Sequence, residues 1–490
     1  AGVLSEVIVS NGMAYLGGYK LDAITNNDIH MVKYDISTDN VIYDKTYGGS
    51  TSDYLHTLSY NYDSKFFKLE GNDLFLLAGT TSPNFPVTDG SALSGSNDDL
   101  YIKLDAATGN INFATYIGGT DGLFNYGPVD LRVDGGGVYI FGLTDDSNFP
   151  VTDGSTYKGN VDYYLRKYNV SNNALVFSKY LGTSEQEYGG AMEVENGIIY
   201  LSGYLQSSVG WPHTLVYGSY VGFTHLFLTK LNSSSGNVSF STWINSNANE
   251  EFGTLKVVDG NAYVLGLTYG TATNTYPVTN GSKKVGSNGS ADVVLTKFNS
   301  DNQICFSTFV GGNNEDVPLS MTVQNDYVYY AGYSSSNNYP VTNSVVKKPV
   351  NDYMWTKFNL NPVLNVTVDN VTPATQTVCK NGMAATFTAP AITFPADSMP
   401  TIYRNAVPST QTAIELKYQW QQAPSASGPW TNIPAAIKQD YIPQVGLVDV
   451  YYRRIANASV CGSNTPISIS SVASVLVNAN TAPTVTVGNV

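Results

Sequence analysis

A short phrase, aromatic-Pro-Val-Thr, returns through the first three-quarters of this chain at a period of about 63 residues. It reads Phe85-Pro86-Val87-Thr88, Phe149-Pro150-Val151-Thr152, Tyr276-Pro277-Val278-Thr279 and Tyr339-Pro340-Val341-Thr342. A degenerate copy, Trp211-Pro212-His213-Thr214, fills the one gap. A fixed period of this length means one supersecondary unit stacked on copies of itself, because a single unit cannot bury its own apolar face.

Three further landmarks keep the same phase. A strand ending in glycine appears as Tyr15-Leu16-Gly17-Gly18, Leu76-Leu77-Ala78-Gly79, Tyr139-Ile140-Phe141-Gly142, Tyr200-Leu201-Ser202-Gly203, Tyr263-Val264-Leu265-Gly266 and Tyr329-Tyr330-Ala331-Gly332. An acid stands five residues before a lysine at Asp28/Lys33, Asp98/Lys103, Asp162/Lys167, Asp292/Lys297 and Asp352/Lys357, with His225 replacing the acid before Lys230. An aromatic followed by small residues, as in Tyr47-Gly48-Gly49 and Phe309-Val310-Gly311-Gly312, precedes an acid: Asp53, Glu187, Glu251 or Asp316.

Between landmarks lie runs rich in Val, Ile, Tyr, Phe and Thr, bounded by Gly, Asn and Asp, about four to a period. These are strand and turn signals, and no window carries a helical period. Four short antiparallel strands repeated six times predict a β-propeller, with both faces of each blade packed on neighbours. The expected fold is therefore all-β: a six-bladed propeller over residues 1–361, with seven blades as the alternative count. Residues 364–368 read as an altered outer segment of the last blade.

In this order the motifs resemble the SBBP-type β-propeller repeat of secreted bacterial proteins, over roughly residues 1–360. The resemblance implies an exported propeller without fixing a ligand or a catalytic set. Its main departure is the fourth repeat, where Trp211, His213, His225 and Trp243 replace the usual residues.

After Asn361-Pro362 the landmarks stop. Tyr418-Gln419-Trp420-Gln421, Gly428-Pro429-Trp430 and Val450-Tyr451-Tyr452-Arg453-Arg454 resemble the Ig-like modules of Bacteroidota surface and type IX secreted proteins. That implies an Ig-like β-sandwich over residues 362–479, with a central Trp as such a sandwich carries. Cys379 and Cys461 flank it and are the candidate disulfide, two reduced thiols being the alternative. Residues 480–490 read as a linker or the first strand of a further module.

Charged residues are only 13% while Tyr contributes 36, a composition that fits an all-β extracellular surface. A net charge of −14 and the lack of any basic run argue against nucleic acid as partner. No apolar stretch has the length of a membrane-spanning helix.

Most motif residues have structural explanations. The Pro-Val-Thr-Asp/Asn-Gly stretches read as turns, since Pro fixes φ and Gly supplies positive φ. The Asp and Lys read as ties to adjacent loops or blades. Asp98-Asp99, Asp145-Asp146 and Glu250-Glu251 could ligate Ca²⁺ but read as solvated surface acids, so no cofactor or metal site is expected. The segment exempt from the repeat, with Trp211, His213, Tyr217, Tyr220, Phe223 and His225, is the candidate recognition surface, with a packing insertion as its alternative.

The function expected is non-catalytic and extracellular, at the cell surface: a propeller head binding glycan or protein, carried on Ig-like stalk modules. One alternative is a filament subunit self-associating through terminal strands. The other is a polysaccharide-active enzyme, which would need paired carboxylates.

Overall fold

A computed structural model of the chain describes residues 2–21, 26–56, 65–120, 127–207, 209–217, 224–269, 275–278, 290–324, 327–340, 352–359, 370–380, 382–390, 402–404, 407–409, 414–460 and 463–478. Among these every regular element is a strand. Two compact units divide near residue 358, with Tyr403–Val407 counted in the first.

The first unit is a file of six sheets in chain order. Sheet one runs Gly2–Ser10, Met13–Leu21, Asn27–Asp35, Asn40–Tyr47, each strand antiparallel to the last. In sheet two, Asp53–Leu55 and Phe67–Glu70 both pair with Asp73–Thr80, followed by Asp98–Asp105 and Ile111–Ile117. Sheet three is Pro128–Asp134, Gly137–Thr144, Asp162–Asn169 and Leu175–Leu181.

Sheet four is Glu187–Glu195, Ile198–Leu205, His225–Asn232 and Val238–Ile244, with Leu215–Tyr217 added parallel at its outer edge. Sheet five, Glu250–Val258, Asn261–Thr268, Asp292–Phe298 and Ile304–Val310, continues through a bridge from Ile304 to Tyr403. Sheet six shows Asp316–Gln324, Tyr327–Ser334 and Asp352–Asn359. The outer segment expected at 364–368 lies outside the described residues, as does 480–490.

Strand alternation explains why these runs are apolar on both sides. In Gly137–Thr144, Val138 and Ile140 enter a core shared with sheet two, with Phe75, Leu77 and Tyr101. Tyr139 and Phe141 enter the next core, with Met192, Leu201 and Phe227 of sheet four. Each core thus belongs to two successive sheets, and the first strands of successive sheets lie side by side.

Polar residues tie each sheet to the next. The amide of Gly49, after the last strand of sheet one, donates to Asp53 of sheet two at 2.7 Å. Gly312 to Asp316 (2.7 Å) and Thr183 to Glu187 (3.2 Å) repeat this bond two junctions apart. Asp53 also accepts from the hydroxyls of Thr80 and Ser82 in its own sheet, and burial raises its pKa.

The repeated lysine makes the second tie. Lys33 donates to the Ala106 carbonyl (2.9 Å), Lys103 to Val170 (2.9 Å) and Lys167 to Ser233 (2.8 Å), each on the turn after the third strand of the following sheet. Each ammonium lies about 5–6 Å over an aromatic of its own second strand, Tyr15, Phe75 or Tyr139. Lysine was expected to tie adjacent loops or blades, and these contacts are that tie. The repeated acid instead stays beside its own sheet's glycine turn, as Asp98 does with Ser94 and Gly118.

The Pro-Val-Thr stretches are structural. Phe85, Phe149, Trp211 and Tyr276 are buried, and the Thr88 and Thr152 hydroxyls accept from Ala114 (3.0 Å) and Ser178 (2.9 Å) on the fourth strand. Gly90 and Gly154 hold φ of 76° and 75°, as a reversing Asp-Gly demands.

In the second unit, Trp420 is fully buried between Phe387 and Tyr441, with Tyr452, Val371 and Val475 completing the core. Its main described strands form one mixed sheet in the order Thr375–Cys379, Ala473–Asn478, Val450–Val460, Ile414–Ala423, Thr431–Asn432, the first pair parallel, and Ser463–Ile469 also pairs with Val450–Val460. The chain over 382–390 and 433–445 carries no strand; isolated bridges such as Phe387 to Tyr441 join it, and it packs on Trp420.

The glycine after each fourth strand packs on the repeated acid. A Cβ built on Gly48, Gly118, Gly182 or Gly311 would overlap the carboxyl of Asp28, Asp98, Asp162 or Asp292. Gly118→Ala is therefore expected to cost about 1–3 kcal/mol in urea unfolding, the usual penalty of overpacking. An unshifted midpoint would mean that the carboxyl steps aside and glycine is not required there.

Candidate functional site

First strands carry a charged ladder across three sheets. Arg132 of sheet three pairs with Asp130 of its own strand at 2.6 Å and with Glu193 of sheet four at 3.3 Å. Glu193 also takes Lys256 of sheet five at 3.2 Å. Asp130 is wholly buried and accepts from the amides of Met192 (3.1 Å) and Lys65 (3.2 Å). Burial pushes its carboxyl up to about 7 against the pull of Arg132. These residues went unread in the sequence; their signal is the spacing, since 132, 193 and 256 keep the repeat period while alternating in sign.

The recognition surface expected on sheet four is mostly interior. Trp211 is buried, its indole N–H donating to Ser241 (3.1 Å) while its ring meets Phe227 and Tyr163. Tyr217 is fully buried, with its hydroxyl donating to the Asn302 carbonyl at 3.2 Å. His225 is 1% exposed. Among the described candidates only His213 faces solvent, its ring 4.3 Å from that of Trp243. Tyr220 and Phe223 lie outside the described residues. Sheet four therefore packs where a ligand surface was expected, because its large aromatics fill the space between sheets three and five.

The histidine has a local reason. Where sheets one, two, three and five set an acid against a glycine, the strand register of sheet four sets His225 across from Asn245, both buried. Burial lowers the His225 pKa to about 4, so the ring is neutral at ordinary pH. Next to this pair in the sequence, Glu250 is the buried junction acid, not Glu251 as the sequence suggested. Its Oε1 accepts from the hydroxyls of Ser246 and Thr268, and burial pushes its carboxyl up to about 8. Glu187 is likewise raised, by burial and then by the neighbouring Asp162 carboxyl.

The acid pairs read as solvated are largely buried. Asp98, Asp99, Asp146 and Glu250 are each 4% exposed or less, Asp98 at its own sheet's glycine turn and Glu250 at a junction. Asp99 accepts from the Tyr164 hydroxyl at 2.8 Å and lies 3.3 Å from His56. Among the described residues no three His, Cys, Asp or Glu side chains group to hold a metal ion.

Of the two cysteines expected to pair, Cys379 is exposed at the end of an edge strand, opposite Asn478. Cys461 lies outside the described residues. The described cysteine that is disulfide-bonded is Cys305, buried in the last strand of sheet five.

A groove of about 770 Å³ opens in the second unit. Its floor includes Ile433, Ala436 and Tyr441, its rim Gln422, Lys438 and Gln444. Ile437 and Ile442 stand 64% and 65% exposed along it. Ala435 turns the chain there with φ of 59°. This volume falls in the range of ordinary ligand sites, with apolar surface beside a few polar groups. No strand period marks the segment, so sequence reasoning passed over it.

Residues 368–479 match a family model described as a domain of unknown function (DUF8696). No curated protein matches the chain. Among solved structures, cobalt-substituted Synechocystis apocarotenoid oxygenase aligns at 10% identity and a TM-score of 0.34, over 65% of this chain and 64% of that one. Kuenenia stuttgartiensis hydrazine synthase gives 12% and 0.32, over 62% and 69%. A subtype N10 neuraminidase-like protein of A/little yellow-shouldered bat/Guatemala/060/2010 gives 10% and 0.29, over 52% and 73%. The chain spans under two-thirds of the oxygenases' length, and likenesses this distant say nothing of activity.

Glu250 makes stability depend on pH. The folded protein holds its carboxyl at about 8 against an ordinary 4.5, so the folded state binds the extra proton between those values. Its stabilising contribution is complete below pH 4.5 and is lost as pH rises to about 8. Glu250→Gln should flatten that decline in denaturation midpoints measured across this window. A decline equally steep in the variant would show that Glu250 titrates normally.

Proposed function

We propose that this chain is a non-catalytic binding protein of the cell exterior. In this reading the six sheets are blades of a β-propeller with first strands innermost, and the second unit is an Ig-like module that carries the recognition groove. The observation that carries it is the open groove with Ile437 and Ile442 exposed on its rim. Aliphatic side chains flanked by Gln422, Lys438 and Gln444 suit an extended protein segment, whose side chains take the apolar pockets while its backbone meets the amides.

Two further features support an exterior location. A disulfide at Cys305 needs an oxidising compartment, and polar uncharged residues with many tyrosines suit an exposed β surface. The junction roles of the buried acids account for the carboxyl pairs that an enzyme reading would use.

The test is retention of ligands by the full chain on arrays of extracellular-protein peptides and of polysaccharides, repeated with Ile437→Lys/Ile442→Lys. Binding to peptides should weaken about tenfold or more in the variant, or about 1.4 kcal/mol. Equal binding by both forms would remove the groove from the reading. Turnover of an arrayed polysaccharide would replace it with an enzyme.

A further inference from the structure

The first strands of this unit carry bulges near their starts. In sheets one, three and six the register skips one residue, Ser5, Val129 or Leu319. In sheets four and five it skips two, Gly189-Gly190 and Phe252-Gly253. Both pairs run through left-handed backbone, at φ of 60° and 129° in sheet four and 75° and 76° in sheet five. Glycine adopts that conformation freely, whereas a bulky side chain is strained there and persists where something else requires it. Phe252 stands where sheet four has Gly189.

A bulge re-aims the side chain it carries. Phe252 packs with Tyr269, Leu319 and Tyr333 around Leu267, Ala291 and Val317, where sheet five meets sheet six. The rings of Phe252, Tyr269 and Tyr333 are each part exposed. Two carboxyls stand among them. Tyr269 donates to Glu251 at 3.1 Å. Burial raises its phenol, and the Glu251 and Glu315 carboxyls raise it further, so both acids lie near one hydroxyl. Glu315 is held at the end of the Tyr333 strand, its carbonyl accepting the Ser335 amide at 2.7 Å. Both acids are part exposed, and among the described residues neither pairs with a lysine or arginine.

An aromatic face attracts a cation through its quadrupole, and a carboxylate beside the ring adds to that attraction. The unit already uses this chemistry internally, with Lys33, Lys167 and Lys297 lying 5.2, 5.0 and 5.5 Å over Tyr15, Tyr139 and Tyr263. We propose that the rings of Phe252, Tyr269 and Tyr333, with the carboxylates of Glu251 and Glu315, bind an alkylammonium group. Three apolar faces suit its carbons and the two acids its charge, while a net charge of −14 turns anionic ligands away. A quaternary ammonium headgroup and a lysine side chain both present this chemistry. The site lies in the first unit and is independent of the groove in the second.

The test titrates the full chain at low salt with choline, with Nα-acetyl-lysine amide and with 3,3-dimethylbutanol, the uncharged isostere of choline. Tyrosine ring shifts and heat report binding. One cation or both should bind about tenfold more tightly than the isostere or better. Choline alone would identify a headgroup, the lysine derivative alone a protein side chain. Phe252→Gly should weaken binding about tenfold or more while the melting temperature holds or rises, because glycine relieves the left-handed strain. Ile437→Lys/Ile442→Lys should bind the cations like the parent, which keeps failure of this site apart from failure of the groove. Equal binding of the isostere, or no saturation by either cation below about 10 mM, would overturn the proposal. Binding that survives Phe252→Gly while the melting temperature falls would make Phe252 a packing residue, and the proposal fails. Displacement of the cations by Ca²⁺ at constant ionic strength would give the carboxyls to an inorganic ion and also overturn it.

Discussion

The structure of the first unit depends on burying a charged or polar side chain between sheets and completing its bonds there. A buried carboxyl or ammonium without partners costs several kcal/mol, whereas one with its bonds made specifies a single register. Asp53 collects an amide from sheet one and two hydroxyls from its own sheet, so it is satisfied only when both stand in place. Lys103 reaches Val170 only if sheet three is aligned residue for residue with sheet two. Apolar cores supply most of the attraction, but they would tolerate a slip; these ties do not.

That arrangement explains what the sequence revealed. The period was legible because turn chemistry repeats letter for letter: Pro, Thr and Asp-Gly are needed wherever the long connection folds back on strand four. Strand limits followed from the same punctuation, as Asp162–Asn169 and Leu175–Leu181 show. The junction acid was placed one residue late, at Glu251 and not Glu250. Two glutamates adjoin there, and a register shift between Glu251 and Thr254 upsets the alternation that would have told them apart. In sheet two, Phe75 lies under the lysine, so Ala78 and not Gly79 takes the place of glycine.

The candidate sites were less legible, for reasons that are also physical. His225 and Asn245 looked like an exemption from the repeat, yet they replace an acid and a glycine together at one buried spot. Departure from a pattern marked compensation inside the protein, not freedom to meet a ligand. The first-strand ladder escaped notice because Arg132, Glu193 and Lys256 share no letter, although they share a position. The groove lies in chain without a repeating pattern, where only the fold brings Ile433, Tyr441 and Gln422 together.

Because each core is shared by two neighbouring sheets and no more, the first unit is mechanically a string of links. A lesion in one link weakens its two neighbours and is hardly felt three sheets away.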